Sequence, residues 1–184
     1  MSWTIDHAHS HIQFSARHMM ITNVRGEFEK FTGQIEFDEN NLVNSKATIE
    51  IDAASINTRE DKRDAHLRSA DFFDAEKYPT IRFVSKHVAQ TDAHHGRLIG
   101  DLTIRDVTKE VTLDVDYTGA LKNPWGNTSA GFSAEGKINR KDWGLNWNVA
   151  LEAGGVLVGD EIKLTIELEL VKVAETVPAA AATA

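Results

Sequence analysis

Strict alternation of apolar and polar side chains is the feature that most constrains this 184-residue chain. From Glu161 to Leu170 every second residue is Ile or Leu, and the residues between them are Glu, Lys or Thr. Successive side chains of a β-strand point to opposite faces, so the segment predicts a strand with one buried and one wet face. Residues 12–17, 47–52 and 111–117 alternate in the same way. The pattern predicts an all-β fold.

Less regular strand segments complete a predicted set of eight: 24–38, 80–90, 96–104 and 128–139. Gly33 falls inside the first of them, where a glycine is typical of a bulge or bend. A short helical insertion around residues 58–77 interrupts the strands. It opens on a capping box, in which Thr58 is followed three residues later by an acidic residue.

The predicted domain spans residues 1–172, and the Ala-rich residues 173–184 are predicted to form a disordered tail. Sequential antiparallel strands form a sandwich or a barrel, and an eight-stranded barrel is either filled by side chains or holds one small ligand. One predicted strand face carries the small residues Ala130, Ala134 and Gly136, and Gly100 lies between two leucines. Small residues there either leave space for a ligand or permit close packing, and the sequence leaves both interpretations open.

The amino-acid composition excludes several classes of partner and of chemistry. The chain has 20 basic and 28 acidic residues, a net charge of −8, so phosphate backbones and anionic bilayers should repel it. The absence of cysteine excludes disulfides and thiolate chemistry. No apolar run is long enough to span a bilayer, and no N-terminal signal is apparent. We therefore expect no nucleic acid partner, no membrane insertion and a cytoplasmic location.

The search for catalytic motifs finds no phosphate-binding loop, dinucleotide fingerprint or nucleophile elbow. We expect a protein that is not an enzyme and requires no cofactor or metal. One group of residues could contradict the expectation of no metal: His7, His9 and His11. In a continuous strand these histidines would share one face and could hold a transition metal. An exposed, polar N-terminal strand is the plainer interpretation.

Several motifs together resemble those of the YceI-like bacterial proteins. The most specific is the segment 63–73, Arg-Asp-Ala-His-Leu-Arg-Ser-Ala-Asp-Phe-Phe, followed by Lys-Tyr-Pro at 77–79. Supporting matches run in order through residues 5–18, 26–33, 100–109, 124–132 and 140–144, so the resemblance covers roughly Ser2 to Val171.

The resemblance implies an eight-stranded antiparallel lipocalin-like β-barrel whose interior binds, stores or carries an isoprenoid lipid. The implied ligand is a polyprenyl diphosphate or an isoprenoid quinone. Family members often carry a secretory signal, and its apparent absence here favours a cytoplasmic store or carrier. We also expect a homodimer, formed through an exposed strand face.

On this interpretation the residues expected to bind the ligand fall into three groups. The expected wall is apolar and comprises Phe14, Phe28, Phe31, Ile49, Phe83, Leu102, Leu113, Phe132, Leu164 and Ile166. The expected ends of the tube comprise Leu67, Phe72, Phe73, Trp143 and Trp147. The expected contacts to the head group are His18, Arg63 and Arg68.

Other interpretations remain open at this point. The charged helix need not face a ligand, because its side chains can pair with one another in water. A cavity enzyme acting on a quinone or an amide is the first alternative function, with His18 or His66 as the base. The second is a metal-binding protein built on the three N-terminal histidines.

Overall fold

The computed structural model describes residues 2–124 and 126–173. Those ranges contain eleven strands and one α-helix. In chain order they are β1 (Trp3–Ile5), β2 (His11–His18), β3 (Thr22–Phe28), β4 (Phe31–Glu36), β5 (Lys46–Asp52), β6 (Ile56–Asn57), α1 (Asp61–Arg68), β7 (Thr80–Gln90), β8 (His95–Ile104), β9 (Val107–Lys122), β10 (Thr128–Asn139) and β11 (Val158–Lys172). Short 3-10 turns lie at Leu42–Asn44, Ala53–Ser55 and Arg140–Trp143. The predicted tail beyond Val173 lies outside the described residues.

All the strands belong to one antiparallel sheet, in the order β4-β5-β7-β8-β9-β10-β11-β2-β3-β6, with β1 also paired to β11. Strands β3 and β4 lie near opposite ends of this order, although only Glu29 and Lys30 separate them in the chain. So short a link spans at most about 10 Å. The sheet must therefore curl until its two ends meet, which confirms the predicted all-β antiparallel barrel with a helical insertion.

The strand count differs from the predicted eight. The predicted strand 24–38 breaks at Glu29 and Lys30 into β3 and β4, and the short strands β1 and β6 were missed. Gly33 is not a bulge, because β4 pairs with β5 in unbroken register. Its lack of a side chain instead admits the ends of Ile5 and Ile49, which would lie 2.8 and 2.5 Å from an added Cβ.

The helical insertion closes one end of the barrel, but its cap differs from the predicted capping box. Glu60 is the N-cap, and its carboxylate accepts hydrogen bonds from the backbone N–H groups of Lys62 and Arg63. Thr58 instead donates to the buried Asp64 carboxylate from both its backbone N–H (2.9 Å) and its hydroxyl (2.5 Å). Asp64, in the first turn of α1, therefore anchors the preceding loop to the helix.

Two apolar clusters occupy the ends of the barrel. The larger one lies beside α1 and includes Phe28, Phe72 and Leu102. The smaller one contains Trp3 and Phe37, with the Phe37 ring 5.0 Å from that of Phe132. No helix among the described residues is long and apolar enough to cross a membrane.

Candidate functional site

The barrel encloses a cavity of about 330 Å³ between these clusters. This volume lies at the lower end of the range of about 300–1,000 Å³ that is typical of ligand pockets. Its wall is almost entirely apolar, because strand alternation directs the branched and aromatic side chains inward. Such a wall can exclude water from a greasy ligand and offers few polar groups for chemistry.

Thirteen of the predicted site residues line this cavity. They are Phe14, Phe28, Phe31, Ile49, Leu67, Phe72, Phe73, Phe83, Leu102, Leu113, Phe132, Leu164 and Ile166. Their contact with a ligand stays a prediction. The sequence interpretation did not include other apolar lining residues, such as Ile12, Ile35, Leu98, Val115 and Leu168, although their strand parity was available to find them.

The three predicted head-group residues do not line the cavity. The Arg63 guanidinium is turned back to its own loop, with Nε 2.7 Å from the Thr58 hydroxyl oxygen and a terminal nitrogen 2.8 Å from the Thr58 carbonyl oxygen. Arg68 is half-buried on α1, outside the wall. His18 lies at the end of β2, opposite Val158, beyond the last cavity-lining residue of that strand, Ala16.

The two predicted tryptophans also fall outside the lining. Trp143 is 3% exposed within the larger cluster, and its indole N–H donates to the Leu102 carbonyl at 3.0 Å. Trp147 packs from outside against His66 and Phe72, with ring centroids 4.5 and 5.5 Å away. Both tryptophans support the end of the tube rather than face its interior.

Glycines on the inward faces are covered by neighbouring side chains. A Cβ at Gly100 would lie 2.5 Å from the Phe83 ring, and one at Gly136 would lie 2.6 Å from a Leu113 methyl. Close packing is therefore the correct interpretation at these two positions, where the absent side chain lets a neighbour lie flat along the wall. Ala134, by contrast, does line the cavity.

At the helix end the one charged residue in the cavity lining is Arg140, whose side chain is 4% exposed. Its guanidinium donates to the carbonyl oxygens of Leu145, Trp147, Val158 and Gly159 and to the Asp160 carboxylate. Burial lowers the pKa of Arg140, and Asp160 partly offsets this. All of these bonds are internal, so Arg140 fixes the residues that close this end of the barrel.

The opposite end carries the exposed lining residues and forms the rim. Its polar members are the exposed Lys46, Gln90, His94 and His95 and the half-buried Ser45. These residues come from β5, β7, β8 and the turns beside them, so no single segment of the sequence contains the site. The adjacent histidines His94 and His95, in the turn between β7 and β8, are the sequence signal that could have indicated it.

Acidic side chains surround the rim. Asp92 contacts His95 Nδ1 at 2.8 Å, and Asp116 lies 3.4 Å from the other ring nitrogen. The hydrogen bond and charge of Asp92 raise the pKa of His95. The backbone N–H of His94, followed by the His95 ring, lowers the pKa of Asp92 to about 2. Lys46 lies 4.0 Å from Glu36, so the rim holds no excess of positive charge.

The N-terminal histidines do not share a face as predicted for a continuous strand, because a turn separates β1 from β2. The His7 ring lies 5.1 Å from that of Phe31, and His11 is 3.9 Å from Glu27. His9 Nδ1 lies 3.0 Å from Asp6 and 4.0 Å from Glu169, a group that offers one ligand atom per residue to a metal. The hydrogen bond to Asp6 raises the pKa of His9, as expected for an ion pair.

The fold and its motifs have counterparts among known proteins. The model of the YceI-like domain matches residues 3–170. A UPF0312 protein of Staphylococcus aureus (strain MSSA476) is 40% identical over 169 residues, which cover 91% of this chain and 96% of that protein.

Two solved structures share the fold. BcnA of Burkholderia cenocepacia superposes with a TM-score of 0.78 at 25% identity, over 90% of this chain and 98% of BcnA. A polyisoprenoid-binding domain of Saccharophagus degradans, implicated in plant cell wall breakdown, has a TM-score of 0.62 at 15% identity, over 92% of this chain and 98% of that domain. With its motifs, its barrel and the family model in agreement over nearly the whole chain, the protein belongs to the YceI-like family.

Proposed function

We propose that this protein binds a long-chain isoprenoid lipid in the barrel and carries or stores it without chemical change. The observation that supports this most is the nearly uniform apolar wall of the cavity. Each buried CH₂ contributes about 0.8 kcal/mol, so one prenyl unit supplies roughly 3–4 kcal/mol before ordering costs. The polyisoprenoid-binding domain of Saccharophagus degradans has the same fold, which agrees with this choice of ligand.

The rim favours an isoprenoid quinone over a polyprenyl diphosphate. A diphosphate would approach Asp92 and Asp116, and the nearest lysine, Lys46, already faces Glu36. A quinone carries no charge, and its carbonyl oxygens can accept hydrogen bonds from Gln90 or the rim imidazoles. Neither His18 nor His66, the bases considered for a cavity enzyme, lines the interior. Carriage is therefore the simpler proposal, and a cytoplasmic location remains a prediction.

The test is to block the cavity. Ala134→Trp places an indole inside the tube, whereas Glu135→Trp places the same ring on the solvent face of the same strand. We expect the purified wild type to yield an isoprenoid lipid on solvent extraction and mass spectrometry. We also expect a menaquinone with a geranylgeranyl tail to raise its melting temperature. Ala134→Trp should lose both properties, and Glu135→Trp should retain both.

Folding is checked by circular dichroism, and Ala134→Leu serves as a smaller block if the tryptophan variant does not fold. A wild type that yields no isoprenoid and is not stabilised by menaquinone contradicts the proposal. Equal binding by the Ala134 and Glu135 variants would also contradict it, because the ligand would then lie outside the tube.

A further inference from the structure

The hairpin turn between β2 and β3 exposes three consecutive large apolar residues. Met19, Met20 and Ile21 are 42%, 60% and 72% exposed, and we call them the Met-Met-Ile tip. Surface apolar residues are ordinary when scattered singly, but a contiguous group indicates an interaction surface. The exposed tip therefore indicates a surface that binds a partner.

A second segment extends this surface. The Met19 N–H donates to the Leu157 carbonyl at 2.8 Å, and Met20 Sδ lies beside Gly155, 2.2 Å from where a Cβ would be. The same loop exposes Val149 and Val156, at 46% and 38%. The tip and these two valines form what we call the apolar patch. Among the described residues the other large exposed apolar side chains are Val43, Leu121 and Val173.

The backbone of the tip is unusual for its sequence. Met19 and Met20 have φ values of 49° and 62°, in the left-handed region that Asn and Gly occupy at low cost in such hairpins. Methionine gains nothing there from conformation, and both side chains remain substantially exposed to water. Strained residues of this kind cluster at functional sites, where the side chain rather than the turn is required.

The charge of the hairpin is opposite to that of the protein as a whole. No acidic residue occurs between Asp6 and Glu27, although the chain has a net charge of −8. Arg17 and Arg25 are exposed on the outer face of the hairpin. The Arg17 guanidinium donates to the side-chain oxygen of Asn23 at 3.4 Å, and neither arginine is ion-paired to a described acidic residue. Most lysines of the sheet, in contrast, have acidic partners across the strands, as Lys137 has Glu161. The acidic side chain nearest in the adjoining loop is Glu152.

We propose that the apolar patch docks on an anionic lipid bilayer, with the Met-Met-Ile tip inserted at the interface and Arg17 and Arg25 at the head groups. The choice of a bilayer rests on the proposed function, since an isoprenoid cargo resides in membranes. Arginines that have no carboxylate partner, beside flexible apolar side chains, suit this partner, because the arginines attract anionic lipid while the apolar groups leave water. The acidic remainder of the surface is repelled and so orients the molecule with the tip toward the membrane.

Flotation with vesicles tests the proposal. We expect the wild type to bind vesicles of equal parts phosphatidylglycerol and phosphatidylcholine, and to bind pure phosphatidylcholine weakly. Met20→Asn suits the left-handed backbone, so it should fold at least as well while lowering vesicle affinity about ten-fold. Arg17→Gln should reduce affinity only for the anionic vesicles. Leu121→Asn removes a 79% exposed leucine at the opposite end of the barrel and should change nothing.

A wild type that does not float, or a Met20→Asn variant that floats equally well, overturns the proposal. Sedimentation analysis supplies a further check: a wild-type dimer that Met20→Asn dissociates would assign the patch to a second copy and also overturn it. The Ala134→Trp variant separates the two proposals. If it loses its cargo but still binds vesicles, the docking surface stands independently of the cavity; if wild type carries cargo but never floats, only the docking proposal fails.

Discussion

The two ends of the barrel differ in whether their charged groups are buried or exposed. At the helix end the charged groups nearest the cavity are buried and satisfied internally, as Arg140 is by four carbonyl oxygens and Asp64 by Thr58. At the rim Asp92, His95 and Asp116 are exposed and pair with one another at the surface. The difference teaches that a charged motif conspicuous in the sequence can be structural, while the accessible end is assembled from inconspicuous turns.

The largest effect expected from breaking this contrast is at Arg140. Arg140→Met leaves several buried carbonyl oxygens without their donor and leaves Asp160 with Lys141 as its partner, so we expect the free energy of unfolding to fall by about 3–5 kcal/mol. Lys141→Met is the matched control, because Lys141 pairs with the same Asp160 but from an exposed position. The control should cost under about 1 kcal/mol. Urea denaturation measures both, and equal losses would contradict an anchoring role for Arg140.

An intermediate effect is expected at Asp64. Asp64→Ala leaves the Thr58 N–H and hydroxyl without a buried acceptor, and we expect a loss of about 2–3 kcal/mol. Asp61→Ala removes an exposed acid from the same turn of the helix and should cost about 0.5 kcal/mol. Thermal unfolding of the two variants compares them. If they lose stability equally, Asp64 serves the helix dipole and not the anchor.

The smallest effect is at the rim. Asp92→Asn removes a negative charge beside His95, so geranylgeranyl diphosphate should bind about three-fold more tightly, while the matching menaquinone is unaffected. In NMR titrations the His95 pKa, raised in the wild type, should fall toward its ordinary value of about 6.5 in this variant. Asp101→Asn, on the outer wall beside Lys86, is the control. A diphosphate affinity that does not change would show that the head group does not reach the rim.

The sequence was most informative where one strand is long and regular. Alternation in β11 determines which residues face inward, and Leu164 and Ile166 line the cavity as their parity predicts. The break between β3 and β4 also left a sign: Phe28 and Phe31 both face inward although their separation is odd, which a continuous strand does not allow. That parity change predicts the break into β3 and β4, but not the short strands β1 and β6.

Other features depend on contacts that no local pattern contains. His7, His9 and His11 do not share one face, because that arrangement needs an unbroken strand, whereas Asp6 accepts a hydrogen bond from the Ala8 N–H and starts a turn. Arg63 resembles a ligand-binding arginine until the structure turns its guanidinium toward Thr58. The rim joins Lys46 to Gln90 and His95 because β5 pairs with β7, and β7 with β8, although α1 separates β5 from β7 in the chain. Distant strands create such sites, so periodicity alone cannot locate them.

The short link Glu29–Lys30 has a mechanical consequence. It holds the two ends of the sheet together, yet β4 and β1 meet through side chains, as where Ile5 covers Gly33, and no ladder joins them among the described residues. Each pair of neighbours in the strand order is joined by a backbone ladder, whose hydrogen bonds must break before that junction can widen. The barrel is therefore a tube with one seam, hinged at this link, and a cargo too thick for the resting bore would part the wall there.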